Sequence, residues 1–111
     1  MKIALSDVAA ILSVHPRTVV RAYNKAGIDA GYDSVLEVDE VGKVFNFDPV
    51  YIQRVVSRQD SLLKPEDAAA ELSLALRTFR YRDYPVLVRK DRVVRYSRND
   101  IIKFHFANYM L

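Results

Sequence analysis

One twelve-residue pattern occurs twice in this chain, 60 residues apart. Any fold the chain adopts must therefore build the same local structure two times. Asp7-Val8-Ala9-Ala10-Ile11-Leu12-Ser13-Val14-His15-Pro16-Arg17-Thr18 aligns without gaps on Asp67-Ala68-Ala69-Ala70-Glu71-Leu72-Ser73-Leu74-Ala75-Leu76-Arg77-Thr78, with seven identical positions. Val8, Ile11 and Leu12 follow the i, i+3, i+4 spacing of a helix with one buried face. Ala9 and Ala10 are small enough for a second helix to cross closely. A serine turn and a helix opening on Arg-Thr come next, so the repeated unit reads as helix, tight turn, helix: a helix-turn-helix.

In the first repeat Ser6 is the expected N-cap, with Asp7 in the first turn where the helix dipole favours a negative charge. Ser13-Val14 makes the turn. His15-Pro16 restarts a helix, because proline suits the first helical position and pushes the residue before it out of helical geometry. Val19, Ala22 and Tyr23 supply its buried side and Gly27 stops it. After a loop over 28–34, the runs Val35–Val38 and Val44–Phe47 predict a hairpin around Asp39–Lys43. Asp48-Pro49 then opens a helix with Ile52 inward.

The second repeat keeps the order. Lys64-Pro65 opens the first helix, Ser73-Leu74 turns, and the second helix runs from Leu76 to about Asp83, with Pro85 preventing its extension. Val86–Arg89 and Arg92–Tyr96 form a hairpin around Lys90-Asp91. Ser97-Arg98-Asn99-Asp100 has capping-box spacing and starts a last helix. The fold class expected is mainly α with small β-hairpin wings (α+β), as two tandem winged helix-turn-helix units over 1–57 and 62–111 joined by a polar linker at 58–61. Aligning Ile52 with Ile101 makes the offset fall from 60 to 49, the difference being taken up in a longer first loop and wing. Units of about 50 residues are marginal alone, so the two are expected to pack on each other or to share a dimer core.

The chain has 111 residues, half of them apolar, and no cysteine, which excludes disulfides, thiol chemistry and cysteine-type zinc sites. No apolar run approaches the roughly 20 residues of a membrane span. The net charge of +3 is modest, but its distribution is uneven. Between 77 and 98 stand eight basic residues (Arg77, Arg80, Arg82, Arg89, Lys90, Arg92, Arg95, Arg98) against Asp83 and Asp91 alone. Such a density attracts a polyanion. Between 29 and 40 the chain carries Asp29, Asp33, Glu37, Asp39 and Glu40 and no basic residue, so the first wing is not expected to lie on a nucleic-acid backbone.

The stretches "LSVHPRTVVRAYNKAGI" and "RTFRYRDYPVLVRKDRVVRYSRNDIIKF" resemble the MerR/excisionase class of winged helix-turn-helix proteins. The first carries the turn, the "PRTV" opening and the "KAG" close of its second helix. The second resembles an excisionase recognition helix, a basic wing, an "RY" strand and the "S-x-x-D-I" start of the closing helix. "SDVAAILSVHPRTVVRAYN" is also similar to the headpiece of LacI-type repressors, and the arrangement looks like the N-terminal domain of phage terminase small subunits.

The MerR/excisionase resemblance implies double-stranded DNA as partner, with the second helix of each unit in the major groove. The candidate contacts are His15, Arg17, Thr18, Arg21, Asn24 and Lys25 in the first unit. Those in the second are Arg77, Thr78, Arg80, Tyr81 and Arg82. Arginine grips guanine bidentately and asparagine does the same for adenine. The wing residues Arg89, Lys90 and Arg92 would add salt-dependent backbone contacts, while Arg95, on a strand, flanks the core. The role implied is transcription regulation, or an excisionase-like architectural role, in the cytoplasm of a bacterium, on its nucleoid. A packaging or replication adaptor on the same fold is the alternative. No glycine-rich phosphate loop or metal-ligand spacing occurs, so neither catalysis, cofactor nor metal is expected. Self-association through the acidic first wing or the apolar end (Phe104, Phe106, Tyr109, Met110, Leu111) is a further expectation, with that end buried between the repeats or in a dimer.

Overall fold

A computed structural model describes residues 1–110; Leu111, at the end of the apolar C-terminus, lies outside the described residues. The described residues form seven helices and five short strands. They run β1 (Lys2–Ala4), α1 (Leu5–Leu12), α2 (Pro16–Lys25), β2 (Val35–Glu37), α3 (Val38–Phe45), α4 (Val50–Val56), β3 (Leu62–Leu63), α5 (Pro65–Glu71), α6 (Leu76–Tyr81), β4 (Val88–Lys90), β5 (Val93–Ser97) and α7 (Arg98–Tyr109). The class is mainly α with two small antiparallel sheets. No described helix is long and apolar enough to cross a membrane.

The serine turns form as the repeat predicts. Ser13 and Ser73 are both left-handed, at φ 54° and 56°. The next residue's N–H returns to an alanine carbonyl five residues back (Val14 to Ala9, Leu74 to Ala69, both 2.9 Å). This closure satisfies helix-end carbonyls and re-aims the chain into the second helix. His15 caps α2 through Nδ1, which accepts the Arg17 N–H at 3.0 Å. Ser97 caps α7 by accepting the Asp100 N–H. Ser6 is not a cap: β1 runs directly into α1, whose N-cap is Ala4 without a side-chain bond.

The hairpin expected over 35–47 does not form. Val35–Glu37 is a strand, but its partner is β1, through Lys2–Glu37, Ile3–Leu36 and Ala4–Val35. Residues 38–45 are helix α3. Valine-rich alternation favours strands only weakly, and here burial decides. Val38, Val41, Val44 and Phe45 have helical spacing and all four are buried. Asp39 and Glu40 lie in the first turn and Lys43 in the last, as the helix dipole prefers.

This changes the alignment of the halves. The second unit pairs β3 with β5 through Leu62–Ser97 and Leu63–Tyr96, each residue 60 positions beyond its counterpart in β1 and β2. The counterpart of Ile101 is therefore Val41, both buried, and not Ile52. The offset stays at 60 through the closing helix, with α3 matching the start of α7. Helix α4 is an addition, although it starts at Asp48-Pro49 as predicted. It follows α3 across a third left-handed turn, Asn46 at φ 59°, where the Phe47 N–H returns to Gly42 at 2.9 Å.

The first unit also lacks a wing. In the second, β4 adds to β5 through Val88–Arg95, Arg89–Val94 and Lys90–Val93. The corresponding residues 28–30 are not a strand, and 26–34 is a loop ending on β2.

The halves pack on each other. One core joins Leu12, Val19, Val41 and Phe45 of the first unit to Leu62, Val88 and Val93 of the second. A smaller core holds Ala68, Ala69, Phe79, Tyr84, Tyr96 and Ile101. The residues read as a linker are partly built in. Asp60 is buried and its carboxylate accepts from the Ser61 and Asn99 N–H groups and from Ser97 Oγ (2.5 Å). Tyr51 of α4 donates to Asp100 of α7 at 2.6 Å. The resulting body measures 48 × 26 × 18 Å.

Candidate nucleic-acid interface

Helix α2 buries Val19, Ala22 and Tyr23 and leaves Arg17, Arg21, Asn24 and Lys25 exposed, with His15 exposed at its cap. Thr18 is half-buried. Only Lys25 of this set has an ionic partner among the described residues, Asp91 at 3.5 Å. Both groups are well exposed, so the pair is easily exchanged for another anion.

Helix α6 is anchored by Phe79, stacked on Tyr84 at 4.7 Å and edge-on to Tyr96 at 4.9 Å. Arg77 and Arg80 are exposed and have no carboxylate partner among the described residues, and Thr78 is half-buried. Tyr81 is 89% exposed, far from half-buried. Tyr81 therefore takes no part in the core. Arg82 is turned away: its guanidinium lies 4.2 Å over the Tyr109 ring and the side chain is half-buried. It belongs to the packing of α7.

The β4–β5 ribbon separates the two second helices. Its turn residue Asp91 has φ 53°. Val88 and Val93 are buried in the shared core. Lys90 and Arg92 line a groove of about 630 Å³ whose opposite wall is α2, contributing His15, Thr18, Arg21 and Lys25. Arg89 instead lines a smaller cleft of about 290 Å³ with Arg80, Asp83 and Tyr96 on the α6 side. Burial is the main force raising the Tyr96 pKa, and Arg89 and Arg80 pull against it.

Arg95 forms part of the floor of the larger groove. It is only 7% exposed, and its guanidinium donates to the carbonyls of Leu12 (2.5 Å), Val94 (2.7 Å) and Ser13 (3.1 Å). A cation is thus set at the carbonyl end of α1, where the helix dipole is negative. Desolvation lowers its pKa, with Glu66 and Asp67 acting against that shift. As the strand position suggests, Arg95 supports the site from behind.

The acidic run at 29–40 is not a wing surface. Glu37 lies 3.9 Å from both the N-terminal ammonium and Lys2, and Asp39 and Glu40 begin α3. The C-terminal end is not buried between the repeats. Phe104 packs edge-on to Tyr84, and His105 shares a 2.7 Å hydrogen bond with the Tyr84 hydroxyl, but Phe106 and Met110 are exposed.

The structure therefore brings His15, Thr18, Arg21 and Lys25 together with Lys90 and Arg92, leaves Arg17 and Asn24 exposed on α2 outside that groove, groups Arg80 with Arg89, and withdraws Arg82. The pairing of the second unit's ribbon with the first unit's α2 was not foreseen. Its sequence signal is the pair of valines bracketing the basic turn, Val88 and Val93, whose burial ties the ribbon to the other unit. Compared with family models, curated proteins and solved structures, the chain matches none.

Proposed function

We propose that this chain binds double-stranded DNA sequence-specifically and without catalysis, with α2 and α6 as its reading helices and the β4–β5 ribbon on the backbone. The observation that carries this reading is the groove between α2 and the ribbon, edged by Arg21, Lys25, Lys90 and Arg92 against one carboxylate, Asp91. Cations on both walls suit a phosphate backbone, and Arg17, Arg21 and Asn24 project from α2 with the chemistry that reads base edges. The MerR/excisionase resemblance adds the role: a transcription regulator or architectural factor of a bacterium or mobile element, working on the nucleoid.

A second reading, an adaptor that binds protein, draws on Phe106, Tyr109 and Met110, all exposed on or just beyond α7. Fluorescence anisotropy with labelled duplex across a salt series separates the two. On the DNA reading, log affinity falls linearly with log salt. Replacing Arg77 and Arg80 by Ala makes that slope shallower by about 2 and costs at least about tenfold in affinity. An adaptor shows no duplex binding, or weak binding that these substitutions leave unchanged.

A further inference from the structure

We infer that the β4–β5 ribbon serves as the wing of the first unit: Lys90 and Arg92 hold the DNA backbone beside α2, while Arg89 alone serves α6. The inference rests on the DNA-binding reading and assigns its wing contacts to particular half-sites. Three observations support it. The first unit has no wing of its own, since the residues matching β4 are loop, where Asp29 stands at the position of Arg89. The second unit's ribbon is fastened to the first unit, through Val88 and Val93 in the shared core and Arg95 on the carbonyls of Leu12 and Ser13. The cations then divide by wall, with Lys90 and Arg92 facing α2 across the larger groove and Arg89 beside Arg80.

The arrangement has a physical use. Phosphate contacts fix the register of a reading helix on the duplex. A helix-turn-helix without a wing has fewer of them. A ribbon locked beside α2 supplies the missing contacts at no further ordering cost, because its position is already set by the core.

The chain has no cysteine, so single-cysteine variants can carry a DNA-cleaving iron chelate without background. Asn24→Cys, Tyr81→Cys, Arg89→Cys and Arg92→Cys are labelled and bound to a duplex recovered by selection from a random library. Cuts from position 92 should overlap those from position 24, and cuts from 89 should overlap those from 81. Overlap of the position-92 cuts with those from 81 alone would overturn the inference while leaving DNA binding intact. Absence of any duplex binding by the unlabelled protein would instead overturn the reading beneath it.

A second measurement uses no label. Lys90→Ala with Arg92→Ala should weaken binding to a duplex carrying only the α2 half-site, with a salt slope lower by about 2. On a duplex carrying only the α6 half-site it should change affinity less than about twofold. The opposite pattern would refute the assignment.

Discussion

The Arg95 Nε, on β5 of the second unit, donates to the carbonyl of Leu12, the last residue of α1 in the first, at 2.5 Å. Its Nη2 reaches the carbonyl of Ser13, the turn residue itself, at 3.1 Å. The side chain that fixes the ribbon therefore also satisfies the helix end that aims α2. Helix ends leave such carbonyls without intrahelical partners, and an arginine fork can answer two of them at once.

Arg95→Ala should accordingly destabilise the fold by about 3 kcal/mol, because it removes charged hydrogen bonds and leaves the buried Leu12 carbonyl without this donor. Arg95→Lys, with one ammonium in place of the fork, should recover only part of that loss. Urea unfolding followed by circular dichroism measures both. An alanine variant within about 0.5 kcal/mol of wild type would mean the contact has no structural weight.

Gly42 sits where α3 turns toward α4. A Cβ there would lie 2.7 Å from the Phe47 carbonyl oxygen and 3.0 Å from Pro49 Cδ. The matching positions in the two serine turns are Ala9 and Ala69, where a methyl is accommodated. Gly42→Ala should cost about 1–3 kcal/mol through overpacking, read as a lower urea midpoint. Unchanged stability would show that the third turn can widen freely.

The Tyr23 hydroxyl is fully buried and has no hydrogen-bond partner among the described residues. Tyr23→Phe should stabilise the protein by about 1 kcal/mol. Burial first, and Glu40 second, push the Tyr23 pKa up from its ordinary 10.0. Below pH 10 both folded and unfolded states keep the phenol proton. Above it the unfolded state ionises first and binds fewer protons, so stability falls as pH rises. Tyr23→Phe should make the fall above pH 10 shallower. Tyr51, raised mainly by its bond to Asp100, and Tyr96, raised mainly by burial, leave a residual slope. Identical alkaline unfolding curves for Tyr23→Phe and wild type would contradict this account.

Asp39→Ser with Glu40→Ser removes two first-turn acids from α3. The helix loses about 0.5–1 kcal/mol of dipole stabilisation, seen as a slightly lower Tm. Duplex affinity should stay the same or rise. A clear loss of affinity in a folded variant would show that the acidic face takes part in binding.

Both helix-turn-helix cores were legible in sequence because a local pattern governs them: helical spacing, a left-handed turn residue, and a cap such as His15 or a proline. The basic ribbon was equally legible from Lys90-Asp91 between two apolar runs. Residues 35–47 read as a hairpin because their valines favour strands and Gly42 suggests a turn, yet Val38, Val41, Val44 and Phe45 carry the helical spacing that their burial in α3 uses. β1 was missed because three residues at a chain end carry almost no periodic signal; its evidence is the pairing with β2. The reach of Arg95 across 83 positions to Leu12, and the placement of Lys90 opposite α2, are long-range facts that no local pattern encodes.

The central claim is tested most directly by selecting duplexes from a random library with the full chain and footprinting the recovered site at several salt concentrations. The account predicts one enriched sequence with two elements about 10 base pairs apart, both protected, with affinity falling steeply as salt rises. No enrichment, with only weak binding indifferent to sequence, would contradict it.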